Sequence, residues 1–292
     1  MNMKRLIALA LALVLSLALA ACGSSAAPSP SASAPAESSA APAESAPAES
    51  AAESDLDYVK GKGSLVIGYT VYAPMNYTDD NGEFTGFDTE LAKAVCEKLG
   101  VEPQFQEIVW ETKEIELAGK TIDCIWNGMT LDPEREANMA CTVPYVKNAQ
   151  VVVMKADADY ADTSSLIGKS VCAEVGSAGE TQILGNEETK PDANLAQADY
   201  VGKSVQTDCL MEVAAGTCDA AVLDMTLANA MIGEGTDYAG LKIVDELAVE
   251  NYGVAFRQGS DVRDAVNEIF AEMVADGSLG ALADKYGLEL AD

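Results

Sequence analysis

The residues best suited to chemistry in this sequence are a hydroxyl, a guanidinium and a carboxylate. Thr130 and Arg135 bracket the run Leu131-Asp132-Pro133-Glu134, and Asp224 ends an apolar stretch at 218–223. Arginine's planar fork can grip both oxygens of one carboxylate, and a hydroxyl with exposed loop amides adds hydrogen bonds to the same anion. Acidic Asp224, placed elsewhere, offers the opposite charge. Each residue also has a plainer reading: Arg135 can pair with Glu134 or Glu136 at the surface, a contact worth little, and Asp224 can cap a helix beginning at Met225.

Composition narrows the field further. Against 18 basic residues stand 47 acidic ones, for a formal net charge of −29, and histidine is absent. A nucleic-acid partner is excluded because phosphate binding needs a basic face. Without histidine there is no Ser-His-Asp or Cys-His catalytic set and no histidine-ligated metal. No Cys-x-x-Cys pair argues for a metal either, and no cofactor is expected.

The elements that must position these residues follow from local signals. Asp132, Pro133 and Glu134 read as an N-cap, a first helical position and an acidic first turn. A helix should begin there, with Arg135 about one turn in and Thr130 at the mouth of the preceding strand-to-helix turn. The strand feeding it is expected at 122–126. Upstream, 65–69 reads as a first strand and 79–82 as a hairpin turn. Asp88 reads as the cap of a helix whose apolar face is Leu91, Val95 and Leu99, and Gly100 ends that helix. A strand at 105–110 and a short helix at 111–118 come next.

This alternation signals a parallel sheet in an α/β fold, where ligands collect at the carboxyl ends of strands. Tyr72, Trp110 and the stretch Asn127-Gly128-Met129-Thr130 all fall on that rim. After an apolar run at 149–155 a second round begins. It comprises a strand at 170–174, the turn Gly176-Ser177-Ala178-Gly179 with amides free for an anion, and a helix through Leu184. A strand at 195–198, a helix at 205–215 and the strand leading to Asp224 complete it. A strand at 252–256 and helices at 261–276 and 279–286 return the chain to the first lobe, so two chain crossings serve as hinge. The boundaries expected are 58–148 with 249–292 for lobe 1 and 149–248 for lobe 2.

At the N-terminus, Lys4 and Arg5 precede an apolar run that ends Leu19-Ala20-Ala21-Cys22. A basic n-region, an apolar h-region and small residues before the cut describe a secretory signal over 1–21. The cysteine after Leu-Ala-Ala resembles the lipobox of bacterial lipoproteins. That resemblance implies diacylglycerol on Cys22 and a lipid anchor to the outer face of the cell membrane, held stably by two acyl chains. Residues 22–57 are almost wholly Ser, Ala, Pro and Glu and read as a disordered tether with a mean reach of roughly 30 to 35 Å. The other six cysteines, Cys96, Cys124, Cys141, Cys172, Cys209 and Cys218, are expected to be buried thiols. Disulfides are the alternative.

The ordered set Gly68 to Pro74, Gly86-Phe87-Asp88 with Leu91-Ala92-Lys93, Asp123 to Arg135, Pro144-Tyr145, Val175 to Gly179, Gly216 to Asp224, Tyr252-Gly253-Val254 and Asp276-Gly277 resembles the extracellular amino-acid-binding receptors of ABC importers, solute-binding family 3. The resemblance implies a two-lobed, periplasmic-binding-protein-like fold of type II. It also implies a monomeric receptor that captures a free amino acid and delivers it to a permease and its ATPase. Arg135 and Thr130 would hold the α-carboxylate with amides of Gly128 and of Ser177 or Ala178, Asp224 would take the α-ammonium, and Tyr72 and Trp110 would wall the side chain.

Asn127 stands where a small residue is usual and is expected to reach the ligand's side chain. The uncharged loop Tyr69-Thr70-Val71, where receptors for basic amino acids tend to carry an acid, points to a neutral polar ligand. Two other readings stay open. One is an exported dehydratase of a small carboxylic acid on the same scaffold, with Glu174, Glu180 or Asp224 as its base. The other is an amino-acid sensor lipoprotein that feeds no transporter.

Overall fold

A computed structural model describes residues 54–292. The expected signal segment, the expected lipidation site Cys22 and all but the last few tether residues lie outside the described residues. The tether expectation is corrected at its end. Ser54 caps a helix, α1 (Asp55–Lys62), by accepting from the Asp57 amide, so 55–57 belong to the folded body.

Lobe 1 opens with β1 (Ser64–Tyr69), a small hairpin of β2 (Tyr77–Thr78) and β3 (Phe84–Thr85), helix α2 (Phe87–Leu99) and β4 (Glu102–Glu107). A 3-10 turn at Trp110–Thr112 leads into α3 (Lys113–Ala118), then β5 (Cys124–Thr130), α4 (Pro133–Asn138) and β6 (Ala140–Cys141). The chain then leaves along β7 (Val146–Lys155). Lobe 2 holds β8 (Ser170–Glu174), α5 (Ala178–Leu184), β9 (Asp199–Lys203), α6 (Gln206–Ala215), β10 (Ala220–Asp224) and α7 (Met225–Met231). The return strand is β11 (Leu241–Phe256), followed by α8 (Val262–Ala275) and α9 (Ser278–Tyr286).

One sheet runs through both lobes in the order β4-β1-β5-β11-β7-β10-β8-β9. Strands β1, β4 and β5 are mutually parallel, as are β8, β9 and β10, and the antiparallel β7 and β11 join the two sets. Strands β5 and β10 are buried at every position. That explains why their sequences are near-continuous apolar runs: helices cover both faces. Beneath Trp110 a compact group of Ile108, Leu117, Ile122, Ile125 and Met129 fixes the first lobe's rim.

Several local expectations shift. Asp88 does not cap α2; Gly86 does, at φ 127°, and Asp88 is buried inside the first turn. The strand expected at 122–126 runs through Thr130, and the one expected at 195–198 is a 3-10 turn followed by β9. The largest difference is β11. The expected short strand at 252–256 is the end of a much longer one, paired along its length with β7 and kinked by register shifts at Ile243/Asp245, Glu246/Ala248 and Gly253/Ala255. All six body cysteines are free thiols, and all but Cys141 are buried.

Candidate functional site

The carboxyl ends of β5, β8 and β10 face one narrow cleft. Eight of the residues singled out from sequence line it: Trp110, Asn127, Gly128, Thr130, Arg135, Ser177, Ala178 and Asp224. Glu174 and Gln206 complete the lining. Tyr72 is not on the wall. Its ring packs beneath Gly128, where a Cβ would come within 2.8 Å of it, and its hydroxyl meets that of Tyr252 at 2.5 Å.

The cationic end is built locally. Asp132 accepts the Arg135 amide at 2.9 Å, which starts α4, and its other oxygen lies 3.2 Å from Arg135 Nε. So oriented, the guanidinium donates from Nη1 to the Thr130 carbonyl at 2.8 Å and from Nη2 to the Gly176 carbonyl of lobe 2 at 3.0 Å. Only 6% of Arg135 is exposed. With one proton on each Nη engaged, one on each remains for a carboxylate. Lys113 joins it from α3, sitting over the Trp110 ring and donating to the same Gly176 carbonyl at 3.0 Å. Burial pushes the Lys113 ammonium down to about 8, and the neighbouring Arg135 charge adds to the effect.

The acidic end gathers distant parts of the chain. Asp224 accepts from Asn148 at 2.9 Å, from Gln150 at 2.5 Å and from Gln206. Its neighbour Glu250, on β11, accepts from Thr130 Oγ1 at 2.8 Å, from Asn148 at 2.6 Å and from Gln150 at 2.8 Å. Two carboxyls thus share two carboxamides. Like charges this close cannot both ionise easily: burial and then the Asp224 charge raise Glu250 to about 7, and burial raises Asp224 as well. Glu174, at the end of β8, is raised to about 8 by burial and by the Asp224 charge.

Three further expected roles need correction. The Gly128 amide donates to the buried carboxylate of Asp88 at 2.6 Å, so it is not free for an anion. The Asn127 carboxamide is engaged within lobe 1, donating to Thr70 Oγ1 and accepting from the Thr70 amide and from Asn76. It shapes the rim instead of reaching outward. Asp224 begins α7 but makes no side-chain cap there. Of the paired alternatives at the α5 turn, the Ser177 amide donates to the Glu174 carbonyl at 3.2 Å, leaving Ala178 as the open one.

Sequence reasoning missed Lys113, Asn148, Gln150, Gln206 and Glu250. The polar positions Asn148 and Gln150 inside an otherwise apolar β7 were the available signal, since polar groups in a buried strand need partners.

A cleft at strand ends between two lobes, cationic at one end and acidic at the other, defines the solute-binding class of proteins. The chain belongs to the bacterial extracellular solute-binding proteins, family 3, which it matches over residues 65–289. It is 29% identical over 228 residues to the arginine-binding extracellular protein ArtP of Bacillus subtilis, covering 77% of this chain and 87% of that one. The structure of an ABC uptake transporter substrate-binding protein from Streptococcus pneumoniae with bound histidine is similar at a TM-score of 0.71 and 28% identity, covering 80% of this chain and 96% of that one. The ancestral amino acid-binding protein AncCDT-1, a precursor of cyclohexadienyl dehydratase, is similar at a TM-score of 0.70 and 28% identity, covering 80% and 99%. No helix among the described residues is long and apolar enough to cross a membrane.

Proposed function

We propose that this protein is a lipid-tethered, monomeric receptor that captures a free L-amino acid between its lobes and hands it to an ABC permease driven by its ATPase. The observation that carries the reading is the placement of Arg135. Its guanidinium leaves two donors over a cleft whose opposite end presents Asp224. Arg135 and the Ala178 amide hold the α-carboxylate, Asp224 holds the α-ammonium, and Trp110 lies against the side chain. Buried on both sides, these charge-assisted bonds act in a medium far less screening than water.

The lobes divide at 148/149 and 248/249. Support comes from β7 and β11, which pair through both points, with Ala248 opposite Gln150 and Val249 opposite Ala149. The names of the relatives, which bind arginine and histidine, support an amino acid as cargo. A thermal-shift screen over the common amino acids tests the reading. A true ligand at about 100 times its dissociation constant adds roughly 2.7 kcal/mol of stability, and a flat screen removes the receptor function.

A second reading, an exported dehydratase of a small carboxylic acid, is favoured by one observation. Glu174 is a buried carboxyl raised to about 8, which makes it a proton donor near Arg135 at neutral pH. Turnover of a candidate acid by the purified protein supports that reading, and tight amino-acid binding without turnover removes it.

A further inference from the structure

Among the residues lining the cleft, one buried side-chain atom lacks a partner: Glu174 Oε1. Every other charged group there is engaged. Arg135 and Lys113 both donate to the Gly176 carbonyl, and Asp224 and Glu250 each accept from several donors. Glu174 is only 4% exposed. A buried carboxyl oxygen without a donor is costly unless something that enters the cleft supplies one.

We propose that Glu174 reads the side chain of the bound amino acid and selects one that ends in a positively charged nitrogen. This rests on the reading of the cleft as an amino-acid site. Glu174 and Asp224 end parallel neighbouring strands, in a register that pairs Val171 with Ala220 and Cys172 with Ala221. That register sets Leu223, not Asp224, beside Glu174, but both strand-end carboxyls line the one cleft. A ligand with two cationic nitrogens, one at the α position and one on the side chain, addresses both.

With Glu174 raised to about 8 and Glu250 to about 7, the bare cleft carries no surplus negative charge, and a ligand cation gains its counter-charge when Glu174 gives up its proton. The loop after β1 offers no rival acid, since Thr70 there is bonded to Asn127. This replaces the neutral side chain expected from the uncharged 69–71 loop.

The groups acting on Glu174 are Asp224 from β10, Lys113 from α3, Gln206 from α6 and Arg135 from α4. In the bare protein Glu174 holds its proton at neutral pH. A ligand cation beside it favours the carboxylate, and the proton leaves to the buffer while no other bond changes.

The test compares L-arginine with its uncharged isostere L-citrulline by titration calorimetry at pH 7. The wild type should bind arginine at least tenfold more tightly and release a proton, seen as a binding heat that differs between phosphate and Tris buffers. Glu174→Gln should lose both the preference and the proton release.

Equal or tighter binding of citrulline by the wild type overturns the proposal without any variant being needed. Retention of the arginine preference in a folded Glu174→Gln protein, checked by its melting curve, also overturns it. If no amino acid binds at all, the receptor reading itself falls, an outcome distinct from binding without charge preference.

Discussion

The two ends of the cleft are built by opposite strategies. The cationic end is assembled within a few residues of one turn, where Asp132 starts α4 and thereby aims Arg135. Its guanidinium is steadied by backbone carbonyls. At the acidic end, residues 148, 150, 206, 224 and 250 come together from four elements, and the carboxyls are steadied by side-chain amides. The first end is a local motif carried on a rigid turn. The second exists only once both lobes and the two strands between them have folded. The cationic end should therefore fail sharply when one residue is changed, and the acidic end gradually.

Arg135→Ala should show the largest effect, because no neighbour can replace a two-donor grip on a carboxylate. A loss of about 2 to 5 kcal/mol in binding, roughly 1.5 to 3.5 decades in dissociation constant, is expected by calorimetry. A loss under twofold would take Arg135 out of the site. Asp224→Asn should lose less, about 1.5 to 3 kcal/mol, because Glu250 remains beside it. The carboxyl of Glu250 should then titrate below its present value of about 7, since the Asp224 charge helps to hold it up. Carbon NMR of labelled glutamate reads that shift, and an unmoved Glu250 would mean that the pair is not coupled as the shared amides imply.

The pH dependence of stability sharpens the comparison further. Asp88, Glu174 and Glu250 are raised to about 7, 8 and 7, mainly by burial, from ordinary values of 3.8, 4.5 and 4.5. The folded protein therefore keeps protons that the unfolded chain releases as pH rises. Stability should be greatest near the unfolded values, around pH 4 to 5, and fall between there and pH 8. Each group contributes up to about 1.4 kcal/mol per pH unit within its window. A melting temperature that rises from pH 5 to pH 8 would contradict the buried, protonated state of this end. Smallest is Asp132→Ala, expected to cost about 1 kcal/mol of stability through loss of the cap. Binding should weaken as well, because Arg135 loses its aim, and unchanged binding would show that the guanidinium finds its place without the turn.

The same contrast governs what the sequence alone made legible. Asp132-Pro133-Glu134 is a short-range signal, so the start of α4 and the position of Arg135 could be read directly, as could the α/β alternation and the two lobes. Glu250 could not. Flanked by Val249 and Asn251 it looks like an exposed polar residue, and it is half-buried because β11 begins at Leu241 and not near Tyr252. Lys113 opens a short helix with exposed Glu114 beside it, and only the approach of Gly176 from the other lobe buries it. Asp88 followed the local pattern of a cap, but the turn was taken by Gly86, whose Cβ would collide with the Met75 carbonyl at 2.2 Å. Short-range chemistry survives translation into structure; contacts between distant segments have no local signature.

One oxygen atom, the carbonyl of Gly176, receives both Arg135 and Lys113 from across the cleft. Parting the halves strips two cations from a single acceptor at once, so these two bonds oppose opening. Because a solute can enter only the parted form, its measured affinity is the intrinsic one scaled by the fraction of molecules ajar. Weakening this clasp on the Lys113 side should let cargo in faster.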